Sequence, residues 1–135
     1  MNNIVCNILV VDDFEDIREG IKDILENIGH TVIVAENGIQ AMKVINDKKV
    51  DMVITDILMP DMDGIELCTQ IKKTYPNMIF ILMSGDGRQM PNASEYNYLR
   101  SAQKLTGIDD ILKKPFNPYE LIELINLRLG NNCGN

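Results

Sequence analysis

Residues 51–64 read DMVITDILMPDMDG. Met52 to Thr55 form a short run rich in β-branched side chains, the length and composition of a buried strand. The run leads directly into Asp56, and Asp63-Gly64 closes the loop that follows. A carboxylate beside a core strand is costly unless a cation compensates it. What Asp56 meets must come from elsewhere in the chain.

Outward from this stretch the same pattern repeats. NILVVDD (7–13) is a second buried run that stops at Asp12-Asp13. Phe14, Ile17, Ile21, Ile24, Leu25 and Ile28 then recur at helical spacing, with Gly29 placed to end the helix. TVIVA (31–35) predicts a strand. NGIQAMKVIND (37–47) predicts a helix with Ile39, Met42 and Ile45 inward. A helix follows from Gly64 to about Tyr75, and Pro76-Asn77 breaks it. MIFILMS (78–84) predicts the most apolar strand, and GDGRQMPNAS (85–94) a loop. A fourth helix is expected from about Glu95 to Leu105, ended by Gly107. A short fifth strand lies within DDILKKP (109–115). A last helix starts near Pro118 and carries Leu121, Leu124, Ile125 and Leu129. Five alternations of buried strand and helix imply an α/β fold, a doubly wound parallel sheet with helices on both faces.

The 135 residues suit one domain with one core, expected over 1–135, with the core at about 7–130 and a frayed tail at 131–135. At 45% hydrophobic and 24% charged the composition is that of an ordinary globular protein. A net charge of −7 without a long basic run argues against a nucleic-acid surface or an anionic membrane surface. The N-terminus shows neither a basic leader nor a long apolar stretch, so no signal peptide or membrane span is expected. Cys6, Cys68 and Cys133 are scattered, and the single histidine is His30. A zinc site or disulfide scaffold is not expected, and a reducing cytoplasm is the default compartment. Cys6 and Cys68 read as small core residues, His30 as a surface residue.

Doubly wound sheets place ligands at the carboxyl ends of their strands. The first strand ends in Asp12-Asp13, the third in Asp56, the fourth in Ser84 and the fifth in Lys114. Three acids, a hydroxyl and a lysine could thus share one rim. Each has a plainer reading. Asp12 or Asp13 could cap the first helix, Asp56 could make a local turn bond, and Ser84 could be a turn residue. Lys114 could be solvated like its neighbour Lys113, although an extended strand points the two to opposite sides. Together they support one chemistry. Clustered carboxylates need a cation, and hard oxygen ligands of this kind suit Mg²⁺. A carboxylate can attack phosphorus to give an acyl phosphate, Lys114 could pair with a phosphoryl oxygen, and Ser84 could donate a hydrogen bond to another.

ILVVDD, DMVITDILMPDMDG, ILMSG and LKKPF, in this order over about residues 7–130, resemble the receiver domains of bacterial two-component response regulators. The resemblance implies a flavodoxin-like sheet of strand order 2-1-3-4-5. It implies that Asp56 accepts a phosphoryl group from a histidine kinase or phosphotransfer protein. Mg²⁺ would be held by Asp12, Asp13, Asp56 and the backbone carbonyl of Leu58, with Ser84 and Lys114 contacting the phosphoryl group. It further implies a cis bond at Lys114-Pro115, a Gly64 free to adopt positive φ, and a downstream protein on the face made by the fourth helix, fifth strand and last helix.

Two departures stand out. Ile111 occupies the position, three before the lysine, where the family usually has Tyr or Phe; the usual aromatic swing cannot occur as such, or Ile111 is simply core packing. The segment from Ser84 to Lys114 is also longer than the common pattern, with the excess in 85–95, where Arg88 is the one cation of the loop. Other classes fit the sequence less well. A Mg²⁺-dependent aspartate-nucleophile phosphohydrolase usually carries an Asp two residues after the nucleophile, where Leu58 stands. A flavin-type nucleotide binder needs a Gly/Ser/Thr-rich phosphate loop where Asp12-Asp13 stand. A degenerate receiver that only binds partners is hard to square with retention of all five rim groups.

Overall fold

The strands of the computed structural model, which describes residues 5–57, 59, 62–85 and 107–132, run in the order β2-β1-β3-β4-β5, all parallel. They are β1 (Asn7–Val11), β2 (Thr31–Ala35), β3 (Met52–Asp56), β4 (Ile79–Ser84) and β5 (Asp110–Lys113). β3 and β4 are buried at every residue, as strands covered on both faces should be. The helices are α1 (Glu15–Asn27), α2 (Gly38–Asp47), α3 (Gly64–Thr74) and a C-terminal helix (Pro118–Asn132). The expected strand order and layering are therefore present.

Local chemistry explains the helix ends. Asn37 caps α2, its side chain accepting from the Gln40 amide at 2.9 Å, while the Gln40 side chain accepts from the Glu36 amide at 2.9 Å. Asp63 caps α3 through the Glu66 amide at 2.7 Å, and Lys72 and Lys73 complement the dipole in its last turn. Gly29 ends α1 with φ near 100°, a conformation glycine adopts without steric cost.

The sheet separates two apolar clusters. On one side Ile8, Val10, Ile54 and Ile81 pack with Ile21 and Leu25 of α1 and with Leu121, Ile125 and Leu129 of the C-terminal helix. On the other, Leu9, Val53, Phe80 and Leu82 pack with Ala41 and Ile45 of α2 and Leu67, Cys68 and Ile71 of α3. Alternate residues of each strand serve alternate clusters, as the pleat requires.

The amino ends of the strands are stapled together. Asp51 accepts from the Asn7 amide through its carboxylate and donates its own amide to the Asn7 carbonyl, both at 2.8 Å. Asp109 does the same with Phe80, at 2.8 and 2.9 Å. His30 Nδ1 accepts from the Cys6 amide at 3.2 Å, and Cys6 in turn accepts from the Thr31 amide at 3.0 Å. Arg128 pairs with Asp110 and donates to the Asp109 carbonyl at 3.0 Å.

Several expectations are corrected. Phe14 and Ile28 are largely exposed, because the inner stripe of α1 is Arg18, Ile21 and Leu25. Ile39 is exposed too; α2 turns Gly38, Ala41 and Ile45 inward. His30 is buried, with its Nδ1 accepting from the Cys6 amide, rather than lying on the surface. Cys6 and Cys68 are both core residues, as expected, but Cys6 is also disulfide-bonded, which scattered spacing could not announce. The last helix runs through Asn132, and residues 133–135 of the expected tail lie outside the described residues. The expected loop at 85–94, the fourth helix and Arg88 lie outside the described residues, apart from Gly85. Among the described residues, no helix is long and apolar enough to cross a membrane.

Candidate functional site

Strand register brings the carboxyl ends together. Val11 of β1 pairs with Thr55 of β3, so the next residues, Asp12 and Asp56, fall side by side. Asp56 pairs with Met83 of β4, which sets Ser84 one step further along the same rim. Ser84 pairs with Lys113 of β5, and the following residue, Lys114, donates its amide to the Ser84 carbonyl at 2.8 Å. β5 thus ends one residue earlier than expected, at Lys113, while Lys114 opens the turn. The Lys114-Pro115 bond is cis, as expected.

Lys114 answers the question posed by Asp56. Its Nζ lies 3.2 Å from Asp12 Oδ2 and 3.4 Å from Asp56 Oδ1, and its side chain is only 7% exposed. Lys113, pointing the other way, is exposed. Asp12 is wholly buried, Asp56 and Ser84 are buried, and Asp13 is exposed. One carboxylate oxygen from each of Asp12, Asp13 and Asp56 lies within 4.8 Å of the others.

The plainer readings of these acids can be judged. α1 is capped at Phe14, without a side-chain capping bond. Asp12 Oδ1 accepts from the Phe14 amide at 2.9 Å, but neither Asp12 nor Asp13 is the N-cap. Asp56 Oδ1 does make a local bond, accepting from the Ile57 amide at 2.9 Å, in addition to facing Lys114.

The electrostatics favour a bound cation. Burial pushes the Asp56 carboxyl up to about 6; Lys114 pulls it down, and the Asp12 carboxylate pushes it up again. Three acids facing one lysine leave excess negative charge among hard oxygen donors, a set that fits Mg²⁺. The Leu58 carbonyl, the expected fourth protein ligand, lies outside the described residues.

Gly64, which opens α3, is held tightly against the end of β3. The Gly64 amide donates to the Ile57 carbonyl at 2.8 Å, and a Cβ at position 64 would clash with the Asp56 carbonyl oxygen. Gly64 is therefore required by close approach and not by the positive φ expected of it; the positive-φ glycines among the described residues are Gly29, Gly85 and Gly107. Ile111 pairs with Leu82 and packs, half-buried, against the α2–α3 cluster, in keeping with core packing.

Sequence reasoning passed over Arg18. It is 8% exposed, in the inner stripe of α1 beside Ile21 and Leu25, and its Nη1 donates to the Asp12 carbonyl at 3.0 Å. The available signal was a cation standing in a helical row of apolar residues.

Residues 8–126 match the family model described as the response regulator receiver domain. The response regulator MprA of Mycobacterium sp. (strain KMS) is 36% identical over 116 residues, which are 85% of this chain and 46% of that protein. The chain therefore matches about half the length of this curated relative. NtrX from Brucella abortus superposes with a TM-score of 0.83 at 31% identity, over 96% of this chain and 28% of that one. The chemotaxis response regulator CheY4 of Vibrio cholerae superposes with a TM-score of 0.78 at 24% identity, over 91% of this chain and 98% of that one, a likeness of fold.

Proposed function

Because the chain belongs to the response regulator receiver domain family, we propose that Asp56 takes up a phosphoryl group from a histidine kinase or phosphotransfer protein. The observation that carries this reading is Lys114 Nζ reaching both Asp12 and Asp56 on a rim where three carboxylates share a space of 4.8 Å. Asp12, Asp13 and Asp56, joined by the Leu58 carbonyl, would hold Mg²⁺, which when bound neutralises the acids and draws in phosphoryl oxygens.

The remaining work falls to the chain's own groups. With its carboxyl near 6, Asp56 is mostly ionised at neutral pH and able to act as a nucleophile. One of its carboxylate oxygens attacks phosphorus as the bond to the donor's imidazole nitrogen breaks. That nitrogen leaves with the electron pair, and the product is an acyl phosphate. Lys114 exchanges part of its contact with the carboxylates for a phosphoryl oxygen, and Ser84 donates a hydrogen bond to another. In such transfers, positioning and charge neutralisation supply most of the catalysis.

Catalysis is confined to the chain's own phosphorylation and dephosphorylation. The modification shifts a two-state equilibrium and alters binding of a downstream protein on the face that includes β5 and the C-terminal helix. Residues 1–135 act as one receiver unit in this reading, and the compartment is the cytoplasm. The test is incubation with Mg²⁺ and acetyl phosphate, followed by intact mass measurement. One added phosphoryl group is expected, and none after chelation or in Asp56→Asn. Undiminished labelling of Asp56→Asn, or no labelling of the unmodified chain by acetyl phosphate or a phosphorylated histidine kinase, would overturn the assignment.

A further inference from the structure

We infer that Arg18 is a positioning residue for the cation site, acting through the backbone of Asp12. The inference rests on the metal-binding reading above. A guanidinium in the inner stripe of an amphipathic helix is expensive where leucine or isoleucine would pack, unless it does something those residues cannot. Its polar contacts are specific. Nη1 donates to the Asp12 carbonyl at 3.0 Å, and Nε stands 3.8 Å from a Glu19 carboxylate oxygen.

Asp12 is pinned at every polar atom. Its amide donates to the Ala35 carbonyl at 3.2 Å, Oδ1 accepts from the Phe14 amide at 2.9 Å and Oδ2 faces Lys114 at 3.2 Å. The bond from Arg18 to its carbonyl fixes the plane of the Asp12–Asp13 peptide. Asp13, by contrast, is an exposed member of the carboxylate cluster. The direction in which its carboxylate is presented is set largely by the peptide before it. Arg18 holds that peptide from the helix side, outside the ring of acids, as partners of metal ligands commonly do.

A second consequence gives the inference its test. Removing a positive charge near three carboxylates should strengthen cation binding on Coulombic grounds alone. Loss of the carbonyl anchor should weaken it. The two explanations predict opposite signs.

The experiment measures Mg²⁺ affinity by calorimetry for the unmodified chain, Arg18→Met and Arg18→Lys, with urea unfolding of each in chelator. Arg18→Met should raise the Mg²⁺ Kd about tenfold. Arg18→Lys should recover part of the loss, since it keeps a donor but not the planar fork. Amide exchange at Phe14, whose N–H is held by Asp12 Oδ1, should quicken in Arg18→Met more than exchange in β4. If Arg18→Met does not fold, the Arg18→Lys affinity and Phe14 exchange carry the comparison. Unchanged or tighter Mg²⁺ binding in the variants overturns the role, whatever happens to their stability. Failure of the unmodified chain to bind Mg²⁺ overturns the metal site itself, and the role of Arg18 with it.

Discussion

Replacing Asp56 with asparagine should make the metal-free protein more stable, even as it removes the proposed phosphoacceptor. The carboxyl is raised from 3.8 to about 6, chiefly by burial. The difference is about 2 units, and at about 1.4 kcal/mol each the ionised group destabilises the folded state by about 3 kcal/mol. This is an upper figure, because the side chain keeps a 10% solvent-facing edge. An acid whose folded pKa is raised contributes its full stability only below the unfolded value. That contribution is lost as pH climbs through about 6. Asparagine behaves like the permanently protonated acid, and its amide oxygen can still accept from Ile57. Urea unfolding with a chelator present should therefore show Asp56→Asn ahead by about 3 kcal/mol at pH 8, with the gap closing below about pH 4. Saturating Mg²⁺ should erase much of the advantage, since a hundredfold excess over Kd stabilises the unmodified chain by about 2.7 kcal/mol. A variant no more stable at pH 8, or a gap indifferent to pH, would refute the reasoning.

Lys114→Met removes the ammonium that lowers the Asp56 carboxyl, so that carboxyl should titrate above about 6 by NMR. Phosphoryl uptake, followed by mass, should slow by about a hundredfold. Gly64→Ala forces a Cβ against the Asp56 carbonyl oxygen and should cost about 1–3 kcal/mol in thermal unfolding while slowing phosphorylation. Gly20→Ala, with nothing within 4 Å of the added atom, should instead stabilise by about 0.5–1 kcal/mol and leave phosphorylation unchanged.

The fold was legible because the first four strands are short, largely apolar runs and every described helix is punctuated by a capping or breaking residue. Asn37, Asp63, Gly29 and Pro118 mark boundaries that the backbone obeys. The rim was legible for the same reason: parallel strands deliver their last residues to one edge. Three features were not. Phe14 and Ile39 obey a helical period, yet a period does not say which neighbouring residue faces the sheet, and Gly38 and Arg18 took the inner places. His30 and Cys6 meet across 24 positions of chain through a backbone amide, which no local pattern encodes. At Gly64 the constraint is the nearness of the Asp56 carbonyl rather than φ, a tertiary fact.

The paired aspartate staples at Asn7–Asp51 and Phe80–Asp109 give the sheet an anchored edge and a working edge. A small displacement at Asp56 or Ser84 cannot be absorbed by sliding whole strands, because their far ends are clamped. It would instead swing the strand tips about those clamps, as a key turns on its pivot. Under the proposed phosphorylation, the push from a few atoms of phosphate would in this way be spent on the carboxyl ends of the strands, while their amino ends keep their register.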